Sequence, residues 1–481
     1  MESLLKIDSK QIFKYFEEIC SIPHGSGNME KISEYVLSFA EKNGLRAVRD
    51  NAFNVIVYKD ASKGYESAEP VILQGHLDMV CQKADTEDIN FEAQGITPFI
   101  DGDYIKAKGT TLGADNGIAV SMIMAILSDK NLSHPPIEAV FTTDEEIGML
   151  GAEELDMGLL TAKRMINLDS EEADTMTVSC AGGSDFKIEL PIIKKKAKGT
   201  KVIIEVCGLK GGHSGVEIDK CRQNANTLMG RILNFLKEKF EFSIMDINGG
   251  SKSNAIPRNC RVELVCETPD ALISTLELYA EKIKSEIKNP EEDFTLKIEK
   301  QTEGLFEAFS DDIKEKLVNM LQLTPNGVLQ MSVEIENLVE TSLNLGILAT
   351  ENGKVVMQYA LRSNKQSALD YLEEKMTAFS KVFGADFKIS GRYSPWEFKE
   401  NSKLREVYKE AYRHEFSKEV KVSAIHAGLE CAVFAKKISD LDCISIGPDM
   451  WGVHTVEETL SVSSVERIFR TLCNSLTALK W

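Results

Sequence analysis

The sequence has no surplus of basic charge: 75 Asp and Glu outnumber 56 Lys and Arg, a formal net charge of −19. So acidic a chain repels phosphate backbones and anionic headgroups, which excludes nucleic acid and membrane surfaces as partners drawn by bulk electrostatics. It also lacks any run of the roughly 20 apolar residues that a membrane-spanning helix needs. The opening stretch MESLLKIDSKQIFKYFEEIC carries acidic residues where a secretory signal needs a basic start and an unbroken apolar core. Ten cysteines are scattered without a CxxC pair or regular spacing, which argues against a disulfide scaffold or a zinc ribbon. Several sit in apolar surroundings, as Cys207 does in VIIEVCG, and read as reduced, buried thiols. These absences predict a soluble cytoplasmic protein.

With 481 residues the chain exceeds one ordinary domain. Up to about Leu190, the apolar runs NVIVYK, PVILQGHLD, EAVFTTDE and RMINLD read as strands, and GIAVSMIMAILSD reads as a buried helix. The last ninety or so residues repeat this style. Short strands separated by helices predict an α/β domain with a mixed, largely parallel sheet and helices on both faces. The middle differs. Residues 200–300 read β-α-β-β-α-β, the ferredoxin-like order, and residues 310–393 echo it. The expected organisation is a discontinuous domain of residues 1–186 and 396–481, interrupted by an α+β domain of two ferredoxin-like halves over 187–395.

The acidic and histidine residues of the first domain share one location, directly after an apolar run. His76 and Asp78 close VILQGHLD, Glu145 and Glu146 close EAVFTTDEE, and Asp169 closes MINLD. Asp115 stands in the glycine-rich GTTLGADNG before the buried helix, and His454 follows DCISIG in GPDMWGVHT. Any one of these alone is more often a turn residue, a cap or a hydrogen-bonded core histidine. Ligands gather at the carboxyl ends of strands in open α/β sheets, however, and convergent imidazoles and carboxylates suit a hard or borderline cation. Carboxylates so crowded would shift one another's pKa strongly unless a cation neutralised them.

HLD (76–78), GADNG (113–117), TTDEEIGMLGA (142–152), NLDSEE (167–172), GGHSG (211–215) and GVHTVEE (452–458) resemble, in order and spacing, the M20 metallopeptidases. The likeness runs from about residue 20 to the C-terminus, and the long lid, HAGLE (426–430) and GPDMWGVHT are most similar to the dipeptidases of that family. It implies two Zn2+ ions per subunit, replaceable by Co2+ or Mn2+, sharing Asp115 and a water. His76 and Asp169 then complete one ligand set, and Glu146 and His454 the other. Glu145 becomes the general base, and Asp78 the partner of the other His76 ring nitrogen, on the same side of the strand. The peptide after Asp115 is expected to be cis. Asp144 is left to cap the following turn.

From the inserted domain the resemblance assigns His213 to the substrate's carbonyl oxygen; a helix-capping His213 is the plain alternative. Arg362 in QYALRSN is expected on the substrate carboxylate, Asn254 in KSNAIP beside the oxyanion, and His426 and Glu430 of HAGLE in the substrate loop. The implied activity is hydrolysis of dipeptides with free termini, Xaa-His dipeptides included. A tripeptidase, an N-acyl-amino-acid deacylase and an inactive binding homologue are the competing readings. GxSxG is absent from GGHSG, which sets a serine hydrolase aside. Exposed strand edges of the inserted domain make a homodimer the expected assembly.

Overall fold

The computed structural model describes residues 10–481. They form two compact units. The first takes the chain up to Cys180 together with Phe398–Ala424 and Leu429–Trp481; the second takes Ala181–Glu397 with Ile425–Gly428.

An eight-stranded mixed sheet organises the first unit. Its order is Arg46–Arg49, Val55–Lys59, Ile137–Thr142, Val71–His76, Arg164–Asn167, Asp442–Ser445, Thr175–Cys180 and Lys421–Ile425. The strands from Ile137–Thr142 to Asp442–Ser445 are parallel neighbours. Pairing turns antiparallel outside them, at Val55–Lys59 on one side and Thr175–Cys180 on the other. Every residue of VILQGH, IEAVFT and RMIN is buried, as parallel strands covered on both faces require. The helix Ala114–Ser128 is apolar all round and buried continuously from Asn116 to Leu127, so it lies inside the unit and not on its surface. A small antiparallel sheet, Met450–Trp451, Thr459–Ser461, Tyr104–Ala107 and Pro98–Asp101, completes the framework. Its first two strands form the base of the hairpin that carries His454. No helix among the described residues is long and apolar enough to cross a membrane.

The second unit is built on a nine-stranded sheet whose main path begins Thr295–Phe309, Lys194–Cys207, Cys260–Cys266, Phe242–Gly249. Numbered along the chain these four run 4-1-3-2, the ferredoxin-like order, with helices Ala225–Lys237 and Pro269–Ile287 between them. The path continues Val339–Glu351, Lys354–Ser363, Gly182–Pro191, Asp386–Tyr393. This is a second half of the same order, and its first strand, Gly182–Pro191, precedes the whole of the other half. The two halves join where Asn248 and Gly249 pair with Ala349 and Leu348, over one shared core that includes Phe186, Ile204, Leu233, Leu345 and Tyr359.

All ten cysteines are free, and six of them are buried. Cys207, expected in the core, is half-buried instead: it ends its strand, and its thiol meets the carbonyl of Thr295 at 3.5 Å.

Candidate metal centre

Four adjacent parallel strands deliver the site from their carboxyl ends. His76 is the last residue of Val71–His76; Glu145 and Glu146 occupy the turn after Ile137–Thr142; Asp169 lies two residues beyond Arg164–Asn167. His454 sits in the hairpin that follows Asp442–Ser445, with a left-handed φ of 65°. Asp115 enters at the start of the buried helix, where Gly113 at φ 72° turns the chain and the Asp115–Asn116 peptide is cis.

The five side chains converge. His76 Nε2 lies 3.0 Å from Asp115 Oδ1 and 3.4 Å from Asp169 Oδ1. His454 Nε2 lies 3.2 Å from Asp115 Oδ2 and 2.9 Å from Glu146 Oε1. Each oxygen of Asp115 thus faces a different pair, and ligand atoms of His76, Asp115 and Glu146 fall within 4.8 Å of one another. Among the described residues no Lys or Arg pairs with these carboxylates, so the nearest counter-charges are protons on the two imidazoles. Hydrogen bonds from Asp115 and Glu146 push the His454 pKa up to about 11. Burial opposes charging of His76, but Asp169, Asp115 and Asp78 outweigh it and raise its pKa well above the ordinary value. Asp115 moves the other way: despite its burial, His454 and His76 hold it well below the usual carboxylate range. Asp169 is pushed up to about 6 by burial, with Asp115 and Glu146 adding to the effect against His76. Two imidazoles and three carboxylates, split about one shared carboxylate, fit a pair of divalent cations of the zinc, cobalt or manganese type.

Glu145 makes no contact with these donors, although burial and then the charges of Asp169, Glu430 and Glu146 raise its pKa well above the ordinary value against the pull of His76. Its backbone is fixed by Asp78, whose carboxylate accepts the amides of Glu145 at 3.0 Å and Glu146 at 3.2 Å and the Ser26 hydroxyl at 2.8 Å. The strand ends at His76, so Asp78 lies in the turn beyond it and not on the strand as expected. The nearer partner of His76 Nδ1 is accordingly the Asp78 carbonyl oxygen, at 3.0 Å, with the carboxylate at 3.4 Å. Asp144 departs further from expectation. With φ at 51°, it directs its carboxylate to the Gly27 amide at 2.6 Å, and the helix Leu150–Glu154 starts without a side-chain cap.

Two supporting residues escaped the sequence reading. Asn116 accepts the His76 amide at 3.2 Å and donates to Asp169 Oδ1 at 2.9 Å, joining two ligand positions. Glu458 accepts four consecutive amides of the loop that presents Asp115: Leu112 at 2.7 Å, Gly113 at 3.1 Å, Ala114 at 2.8 Å and Asp115 at 3.3 Å. The only sequence signal for it was its place in GVHTVEE. Glu458→Gln turns an amide NH2 toward those donors and is expected to cost about 2–4 kcal/mol. Thermal denaturation with and without added metal measures this, and an unchanged Tm would remove Glu458 from the role.

The second unit holds the remaining expected residues except Glu430. His213 Nδ1 accepts the amides of Gly215 and Val216, both at 3.2 Å, so the ring caps its own turn and its proton resides on Nε2. Burial, followed by the charge of Arg362, lowers its pKa and keeps it neutral. Asn254 and Arg362 line a cavity of about 350 Å3 with Lys252 and Tyr393, and Arg362 Nη1 donates to the Tyr393 hydroxyl at 2.9 Å. The Arg362 Nε is buried with no partner. His426 is buried, its ring nitrogens lie 2.7 Å from Ser342 Oγ and 3.1 Å from Asn364 Oδ1, and burial and Arg362 push its pKa down to about 3. Glu430, in the first unit, is wholly buried and accepts from Gln74 at 2.5 Å and Thr142 at 2.7 Å.

Residues 72–478 match the profile of peptidase family M20/M25/M40. The chain is 35% identical over 480 residues, 99% of either chain, to the cytosol non-specific dipeptidase of Escherichia coli (strain K12). Its structure superposes on that of aminoacylhistidine dipeptidase from Vibrio alginolyticus with a TM-score of 0.93, at 34% identity, over 99% of this chain and 98% of that one. A tripeptidase from Staphylococcus aureus shares the fold at 13% identity, with a TM-score of 0.57 over 98% of this chain and 99% of the other.

Proposed function

The chain belongs to peptidase family M20/M25/M40, and on that premise we propose that it is a cytosolic dizinc dipeptidase, hydrolysing dipeptides with free termini and accepting Xaa-His. The observation that carries the proposal is the division of Asp115 between two ligand pairs, His76 with Asp169 and Glu146 with His454. The dipeptide assignment is supported by the full-length likeness to a cytosol non-specific dipeptidase and to an aminoacylhistidine dipeptidase.

His76, Asp115, Asp169, Glu146 and His454 would hold two divalent cations, which would supply Lewis acidity toward a water and the scissile carbonyl. Glu145, near the centre but touching none of its donors, takes the proton of the attacking water and passes it to the leaving amine. Asp78 holds the main chain of Glu145 and Glu146 so that the two carboxylates keep separate tasks. His213, neutral and protonated on Nε2, donates to the carbonyl oxygen as negative charge develops there, and Asn254 assists. Arg362, held by Tyr393 with its Nε unmatched, takes the terminal carboxylate. His426 and Glu430, buried and bonded to their neighbours, position the groups around them and do not touch substrate.

Metal-stripped protein is expected to be inactive and to regain dipeptidase activity with zinc, cobalt or manganese, against a panel of dipeptides, tripeptides and N-acetylated amino acids. Preference for N-acetylated or longer substrates would overturn the dipeptide assignment while leaving the metal centre standing. A homodimer formed through an edge of the second unit's sheet, Thr295–Phe309 or Asp386–Tyr393, completes the proposal. Sedimentation velocity would exclude it by finding a monomer at every concentration.

A further inference from the structure

Beside the metal centre, within the first unit, lies a cavity of about 420 Å3 that none of the roles above uses. Met79, Val80, Phe91 and Ile147 supply an apolar wall, and Glu92 and Glu146 add carboxylates. Ile147 is 55% exposed and lines the cavity directly after Glu146, so its side chain is open to whatever enters there. The opposite wall, the loop from Gly25 to Asn28, is tied down by the same turns that orient the chemistry: Ser26 donates to Asp78 and the Gly27 amide to Asp144. Met79 is buried behind it. The cavity is therefore preformed and continuous with the centre, because Glu146 both lines it and meets His454.

We propose that this cavity receives the side chain of the substrate's amino-terminal residue and selects apolar over acidic side chains. The inference rests on the peptidase reading above. In a dipeptide the carbonyl under attack belongs to the amino-terminal residue, whose side chain branches one bond away from it and must lodge close to the metal centre. The other residue's carboxylate is already assigned to Arg362. Glu92, the lining carboxylate that is not assigned to the metal centre, favours the substrate's free ammonium and repels an acidic side chain, while the apolar wall takes an aliphatic or aromatic one. A volume well above that of a single methyl group lets the wall accept Leu, Met and Phe alike, so charge sign discriminates more strongly than size.

The test is kcat/KM for Xaa-Gly and Xaa-Gly-Gly series, with Xaa as Ala, Leu, Met, Phe, Asp and Glu, using the metal-loaded protein and measuring metal content throughout. The unaltered protein should favour Leu-Gly over Glu-Gly by about tenfold or more. Ile147→Lys, at an exposed position that tolerates the change, should raise the Glu-Gly to Leu-Gly ratio at least about tenfold with metal content unchanged. Phe91→Ala should shrink the advantage of Leu-Gly over Ala-Gly by about tenfold. Ratios unmoved by both variants, in both series, overturn the assignment of the cavity. Turnover confined to the tripeptides counts against the dipeptidase reading alone, because the same ratios still report on the cavity.

Discussion

Replacing Glu145 with Gln is expected to lower kcat by about 10²–10⁴-fold while both metal ions stay bound. The two halves of that expectation come from different observations. Metal retention follows because Glu145 is absent from the contacts among His76, Asp115, Glu146, Asp169 and His454. Loss of turnover follows because a carboxylate is the group able to accept a proton there: the nearest imidazoles face the ligand carboxylates, and Asp78 is occupied with the amides of Glu145 and Glu146 and the Ser26 hydroxyl. The Gln isostere keeps the shape and the Asp78 contact to the main chain, so the variant isolates the proton-transfer role. KM should change little, since the side chain is not assigned to substrate binding. Retained activity would end the general-base assignment; loss of metal along with activity would show that Glu145 is a ligand.

Asp115→Ala should be the more damaging change, taking activity to background and metal content to about one ion or fewer per chain. A carboxylate whose two oxygens address two separate pairs cannot be replaced by strengthening either pair. Its removal also leaves His76 and His454 with fewer carboxylate partners, which weakens the field that assembles the rest. Glu146→Ala gives the informative contrast, because Glu146 contacts His454 but not His76, so one ion should loosen and the other remain. Metal analysis after dialysis separates the two variants, and equal metal loss from both would contradict a shared Asp115.

Much of this was legible because the chemistry and the fold use the same punctuation. VILQGH, IEAVFT and RMIN carry short apolar stretches (VIL, AVF and MI) and are buried throughout, as parallel strands covered on both faces are, and a His, Asp or Glu marks each carboxyl end or the turn just past it. Strand order was not legible: nothing local in Asp442–Ser445 says that it lies beside Arg164–Asn167, since the pairing is made by chain nearly three hundred residues apart in sequence. The same distance hid Glu458, which looks like any surface acid in VHTVEE until the fold brings the Leu112–Asp115 amides to it. Asp78 was placed on the strand because period-two reasoning assumes that the strand continues; it stops two residues earlier. Asp144 looked like a cap because it precedes a helix, but a left-handed φ turns its side chain toward Gly27.

The place of Gly182–Pro191 in the second unit governs how the polypeptide can be made. This strand lies between Lys354–Ser363 and Asp386–Tyr393 in the sheet, yet a complete ferredoxin-like half is synthesised between it and either neighbour. Residues 194–309 can close their own four strands as soon as they leave the ribosome. Gly182–Pro191 must wait with both edges open and Phe186, Ile188 and Leu190 unburied until its partners emerge. Through that interval the nascent chain carries an apolar strand open on both edges, a stage at which a holdase chaperone has something to protect.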